Sequence, residues 1–223
     1  MDYYLITLKA IQDFLNFIEE KHWSKWIAED IYFWETAKHV EHHLKAYHKE
    51  GLSDLWICRE NNHKLSEEQE PWANSLFICL VNISYTFAKK LSKKLTPTLD
   101  DIKINTHKRT IIADYCFDCE FTLFTKHNID GYISIKAIEI EIIKSLRANN
   151  ISQTINDILF LNSSFINVER EKVIKIINQS GFNYTGQNGF MRPCANCKSK
   201  NTGIRYFIEE DNKGLGKIFG GAT

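Results

Sequence analysis

Leu8, Ile11, Leu15 and Ile18 recur at spacings of three and four, the period of one α-helical face, and predict a helix over residues 3–20. A second stripe, Ile27, Trp34, Ala37, Val40, Leu44 and Tyr47, leaves Glu35, Lys38 and Glu41 off its face and predicts a helix from Trp23 to Tyr47. Gly51 and Ser53-Asp54 break the pattern. Ser66 followed by Glu67, Glu68 and Gln69 has the form of a capping box, and Pro71 delays or kinks the start of the helix that follows. Leu76, Leu80, Ile83, Phe87 and Leu91 form its stripe, and Lys89, Lys90, Lys93 and Lys94 complement the dipole at its end. Three amphipathic helices predict an antiparallel helical bundle over residues 1–96.

The pattern changes after Thr96-Pro97-Thr98, a short polar stretch that marks the expected domain boundary. RTIIADYCFDCEFTLF, from Arg109 to Phe124, is rich in β-branched and aromatic residues and predicts one or two strands. The isoleucines from Ile133 to Ile142 fit two periods. Ile138, Ile140 and Ile142 alternate as in a strand, whereas Ile135, Ile138, Ile142 and Leu146 fit a helix ending near Asn149-Asn150, the preferred reading. Asn167 is a reasonable N-cap for VEREKVIKIINQS, with Gly181 as its C′ residue. The remainder reads as strands around turns. Residues 97–223 are therefore expected to form a smaller α+β domain, and the whole chain an α+β protein.

Composition narrows the function classes. Lys+Arg number 28 and Asp+Glu 28, with 43% hydrophobic residues in a chain of 223, which disfavours both disorder and a globally basic nucleic-acid binder. The N-terminal segment lacks the form of a secretory signal, and no apolar run approaches the roughly 20 residues that cross a bilayer. A cytoplasmic location without membrane association is the expectation.

Cys116-x-x-Cys119 and Cys194-x-x-Cys197 carry the strongest chemical signal, because two intervening residues let a knuckle turn present both thiolates to one tetrahedral cation. Pro193 and Gly203 give the second pair the outline of strand, knuckle and strand, half of a zinc ribbon. Against this stand the long separation of the pairs and the strand-like run around Cys116 and Cys119, which would point those thiols to opposite faces. The alternatives are four small buried side chains or a redox pair. Zinc held by four thiolates has no open position and would be structural. Cys58 and Cys79 lie in apolar surroundings and read as core.

Other clusters are weaker. Glu35, His39 and His43 share a helical face in the predicted second helix, with His42 and His48 nearby, but do not form HExxH and read as a solvated face. Asp114, Asp118 and Glu120 with Lys126 or Lys136 invite a metal-dependent nuclease reading, although alternating acids are usually a strand's wet face. Arg170, Lys172, Lys175, Arg192, Lys198, Lys200 and Arg205 outnumber Glu169 and Glu171, a local excess that suits nucleic acid or an acidic protein. No phosphate-binding glycine loop or serine nucleophile elbow is present, and no enzymatic turnover is expected.

FLNFIEEKHWSKWIAEDI, HHLKAYHKEGLSDLWICRENNH and NSLFICLVNISYTFAKKL, together spanning about residues 10–92, resemble a small uncharacterised bacterial helical domain family. Trp23, Trp26 and Asp30 match its paired tryptophans and acid, and Gly51, Ser53, Asp54 and Leu55 match its turn. His48-Lys49-Glu50 departs from it where the family tends to be glycine-rich. Such domains are similar to those encoded beside polymorphic interbacterial toxins. The resemblance implies a cytoplasmic immunity protein that binds its cognate toxin and occludes the active site. Trp23, Trp26, Tyr47, Asp54 and Trp56 are the candidate partner-binding positions, although Trp23 and Trp26 suit the helical core better and Asp54 a helix or turn cap. A zinc-stabilised nucleic-acid-binding or regulatory protein is the alternative.

Overall fold

Asp2 opens helix α1 (Tyr3–Phe17) by accepting the Leu5 amide at 3.1 Å. The computed structural model describes residues 1–47, 51–61, 63–102, 110–186, 193–209 and 215–219. Its contacts divide the chain into two compact units, Met1–Ile104 with Ile138–Leu161, and Asn105–Ala137 with Asn162–Thr223. This differs from the single cut near Thr96 suggested by composition. The chain returns to the first unit because Ile138, Ile142, Leu146, Ile155 and Ile158 supply another buried apolar stripe.

In the first unit, α1 buries Leu8, Ile11, Phe14 and Leu15, as its period predicts. Helix α2 (Lys21–Ala37) is capped by Glu20, whose Oε1 accepts the His22 and Trp23 amides. The helix expected to continue to Tyr47 stops here. Lys38 turns left-handed at φ 52°, and the His39 amide reaches back to the Phe33 carbonyl, a Schellman-type stop without glycine. A short helix α3 (Glu41–Lys45) follows, so the predicted stripe is split, and Ala37 is exposed. Helix α4 (Glu70–Ser92) starts at Pro71's tolerated first-turn position. The Ser66–Gln69 contact forms in the preceding turn, where Gln69 Oε1 accepts the Ser66 amide at 2.8 Å. Trp72, Leu76, Phe77, Leu80, Ile83 and Phe87 of α4 are buried, and Phe77 stacks on Phe14 with ring centroids 5.8 Å apart.

Helix α5 (Lys126–Ala148) is the helix preferred for the isoleucine run, and its C-terminal part belongs to the first unit, as does helix α6 (Ile151–Leu159). The Leu159 carbonyl accepts from Gln69 Nε2 at 3.0 Å.

The second unit is built on a five-stranded sheet of order β3-β2-β1-β4-β5. Its strands are β1 (Thr110–Cys116), β2 (Thr122–Phe124), β3 (Asn183–Tyr184), β4 (Thr202–Glu209) and β5 (Leu215–Phe219). Strand β1 is central and pairs antiparallel with β2 and β4. Thr125 caps α5 reciprocally with Asn128, Oδ1 accepting the Thr125 amide at 2.8 Å and Thr125 Oγ1 accepting the Asn128 amide at 3.2 Å. Helix α7 (Ser164–Gln179) begins three residues before Asn167, which lies inside it and accepts Arg170 Nη1; Gly181, at φ 78°, does follow its end. Arg170 also donates Nε to buried Asp130 at 2.8 Å. The strand expected before Pro193 lies outside the described residues. The protein is thus α+β, and among the described residues no helix is long and apolar enough to cross a membrane.

Candidate metal centre

Strand β1 ends at Cys116, and Phe117-Asp118-Cys119 turn away from it. This removes the objection that a continuous strand would point the two thiols apart. The Cys116 amide donates to the Phe121 carbonyl at 3.0 Å and closes the first knuckle. In the second, the Cys194 amide donates to Ser199 at 2.9 Å and the Lys198 amide to Cys194 at 3.0 Å. The long sequence separation is cancelled by pairing of β1 with β4, whose register sets Cys116 opposite Thr202. Cys116 Sγ lies 3.6 Å from Cys197 Sγ, and Cys119 Sγ 3.8 Å from Cys194 Sγ. All four sulfurs are within 4.8 Å of one another and the cysteines are free, so the group can hold a metal ion. Cys116 and Cys194 are buried, whereas Cys197 is exposed.

The surroundings suit thiolate. Asn196 Nδ2 donates to Cys119 Sγ at 3.5 Å, and this contact, with the Phe121 amide, pulls the Cys119 thiol down to about 6. At Cys197 the Ser199 amide favours thiolate, but hydrogen bonds shared with Cys119, together with desolvation, push the thiol up to about 12. A thiolate at Cys119 is thus favoured while ionisation of Cys197 beside it is opposed, and a cation at the centre of the cluster would favour thiolate at both. Outside them, Asp118 of the first knuckle accepts Ser199 Oγ at 2.5 Å and Asn201 Nδ2 at 2.6 Å from the second. Those two bonds, Ser199 first, hold its carboxyl below the usual carboxylate range. The three acids of the nuclease reading are therefore not gathered on a site: Asp118 latches the knuckles, Asp114 is buried on β1 and Glu120 is exposed in the turn. The Lys136 side chain lies outside the described residues. Among the described residues, the four cysteines are the group of three or more potential ligands drawn together.

The histidine face dissolves for a related reason. The stop at Lys38 separates Glu35, which pairs with Lys9 at 3.0 Å, from His39, which pairs with Glu41 at 3.0 Å. His43 instead is buried, with Nδ1 donating to Asp30 Oδ2 at 2.7 Å, while His42 Nδ1 contacts Asp30 Oδ1 at 2.6 Å. His43 Nε2 lies 3.1 Å from Ser84 Oγ. Asp30, His43 and Ser84 thus stand in the order of a hydrolytic triad. They are only 1%, 1% and 0% exposed, and Ser84 Oγ donates to the Val81 carbonyl, so neither access nor a free nucleophile exists. The cluster is a structural bond between α2, α3 and α4. In the sequence Asp30 stands out only as a motif match, and the signal for its structural role is a carboxylate three residues after Ile27, on the buried face.

The proposed partner positions divide. Tyr47 turns its hydroxyl inward, to the Val81 carbonyl at 2.9 Å and to His43 and Ser84, and burial pushes its phenol up. Trp23 and Trp26 are half-buried, the Trp26 indole N–H having no hydrogen-bond partner among the described residues. Asp54 is exposed at the end of a 3-10 turn, Leu52–Asp54, and Trp56 is 62% exposed.

Residues 18–66 match a family described as a domain of unknown function, DUF6966. The matched segment lies within residues 10–92, which carry the resemblance. Its ends are clasped together: the Lys64 amide donates to the Ile18 carbonyl at 3.1 Å, and His63 Nε2 meets Glu20 Oε2 at 3.3 Å. No curated protein and no solved structure matches the chain.

Proposed function

We propose that this protein is a non-enzymatic cytoplasmic binding protein, stabilised by one structural zinc ion, that acts as an immunity protein by occluding the active site of an interbacterial toxin. The zinc reading is carried by the sulfur spacing. Four Zn–S bonds of about 2.3 Å in a tetrahedron require S···S edges of about 3.8 Å, close to the cross-knuckle distances of 3.6 and 3.8 Å. An all-thiolate donor set favours zinc among the common divalent ions and leaves no position for substrate. Such a site persists in a reducing compartment, which supports the cytoplasm.

The absence of turnover is supported by the fate of the reactive-looking groups, with the cysteines closed on one centre and the Asp30–His43–Ser84 cluster sealed in the core. The immunity role rests on the family resemblance. Two of the basic residues behind the nucleic-acid alternative are engaged within the chain, Arg170 with buried Asp130 and Lys172 with Glu169. Arg205 stacks on the Tyr115 ring at 4.5 Å, and Lys198 is part of the second knuckle, donating Nζ to the Ala195 carbonyl at 3.1 Å. Arg192 lies outside the described residues.

The test is to find whether a toxin is encoded beside this gene and to reconstitute the chain with it. A stable 1:1 complex that abolishes toxin activity, with one zinc per chain, is expected. Protection that requires turnover of a substrate, or no complex at micromolar concentrations, would overturn the reading.

A further inference from the structure

The segment from α2 to α3 carries aromatic rings in unbroken contact. His22 meets Trp23 at 5.0 Å between centroids, Trp23 meets Trp26 at 5.8 Å, and Trp26 stacks on His42 at 4.4 Å with 23° between planes. His42 continues to Phe33 at 5.1 Å, and Phe33 to Tyr32 at 5.8 Å. These rings are not core: His22 and Tyr32 are exposed, and the four between are half-buried. The ribbon is fixed from beneath, because buried Asp30 accepts from His42 Nδ1, while exposed Glu29 lies 3.4 Å from His42 Nε2. The π faces of half-buried Trp23 and Trp26 are electron-rich, and the exposed Glu29 carboxylate beside His42 adds a negative charge along the ribbon.

We infer that this ribbon is the docking surface for arginine side chains of a partner protein, a reading that rests on the protein-binding function proposed above. Arginine fits better than lysine, since a planar, weakly hydrated guanidinium can lie on Trp26 or Trp23 while its edge donates to Glu29. Ring-to-ring contact and the Asp30 anchor hold the surface in shape before binding, which lowers the entropy lost on association. Rigid aromatic anchors facing arginine are the residue types that dominate interface energetics.

The test uses the native full chain, 15N-labelled at its tryptophan indoles, titrated at physiological salt with acetyl-Gly-Arg-Gly-Arg-Gly-amide and with its lysine and glutamate analogues. Saturable shifts of the Trp23 and Trp26 indole resonances are expected, with Trp34, Trp56 and Trp72 unmoved. The lysine analogue and the Glu29→Gln variant should each weaken binding about twofold to fivefold. Absence of a saturable shift, equal shifts with the glutamate analogue, or movement confined to the other tryptophans would overturn the inference. A neighbouring toxin that binds the Glu29→Gln/Tyr32→Ala variant as tightly as the native chain would also overturn it, and leaves the immunity reading standing. Arginine binding at the ribbon with no toxin complex would instead uphold the ribbon and remove the toxin.

Discussion

Gly203 faces Tyr115 across the β1–β4 ladder, and the Phe117 ring lies over the space where a side chain would stand. A Cβ at position 203 would come within 2.7 Å of Phe117 Cε2. Phe117 is half exposed, so part of the clash is relieved by ring movement, at the expense of its edge contact with Tyr115. Gly203→Ala should therefore destabilise the second unit by about 1–3 kcal/mol. Chemical denaturation of the Gly203→Ala/Phe117→Ala pair should recover part of that loss, and simple additivity would contradict the contact. Asp118 makes a pH-dependent contribution. Its carboxyl is depressed in the folded chain, so its stabilisation is fully present above about pH 4, the unfolded value, and fades as pH falls through the lower folded value. The difference in thermal midpoint between the native chain and Asp118→Asn should be largest at pH 6 and vanish in strong acid. A difference that grows on acidification would refute the latch.

At the scale of elements, buried Asp30 is the junction of three helices, taking two histidine rings from α3 and, through His43, reaching Ser84 on α4. Asp30→Ala leaves the buried His43 imidazole without its hydrogen-bond acceptor and should cost about 1–3 kcal/mol, read as an earlier urea midpoint of tryptophan fluorescence. A midpoint within error of the native chain would show that the cluster bears no stability. Helices α1 and α4 were legible because burial repeats with the helical period and nothing interrupts it. The end of α2 was not, because the left-handed residue there is Lys38, and a lysine carries no stop signal. The knuckle at Cys116 was hidden likewise: RTIIADYCFDCEFTLF is continuous in β-propensity, and the turn is made by Glu120 at φ 59°, not by glycine. Once the strand ended at Cys116, pairing across β1–β4 supplied the proximity that sequence distance concealed. The four candidate ligands were thus readable from spacing, whereas Asp118, Asn196 and Ser199 around them were not, since their roles depend on which loop faces which.

For the whole molecule, the chemistry separates cleanly between the two units. The five tryptophans lie in the first unit, and the four clustered cysteines in the second. Metal binding coupled to folding predicts that chelation abolishes hydrogen-exchange protection in β1, β2 and β4 while tryptophan emission changes little. Loss of protection first in α1 and α4 would contradict that assignment. Elemental analysis of the purified chain, paired with replacement by cobalt(II), decides whether the four cysteines hold zinc. One zinc per chain is expected, with intense thiolate-to-cobalt absorption, the visible bands of a tetrahedral site, and loss of both in Cys194→Ser/Cys197→Ser. Clearly less than one metal per chain after gentle purification, with no tetrahedral cobalt spectrum on reconstitution, would contradict it.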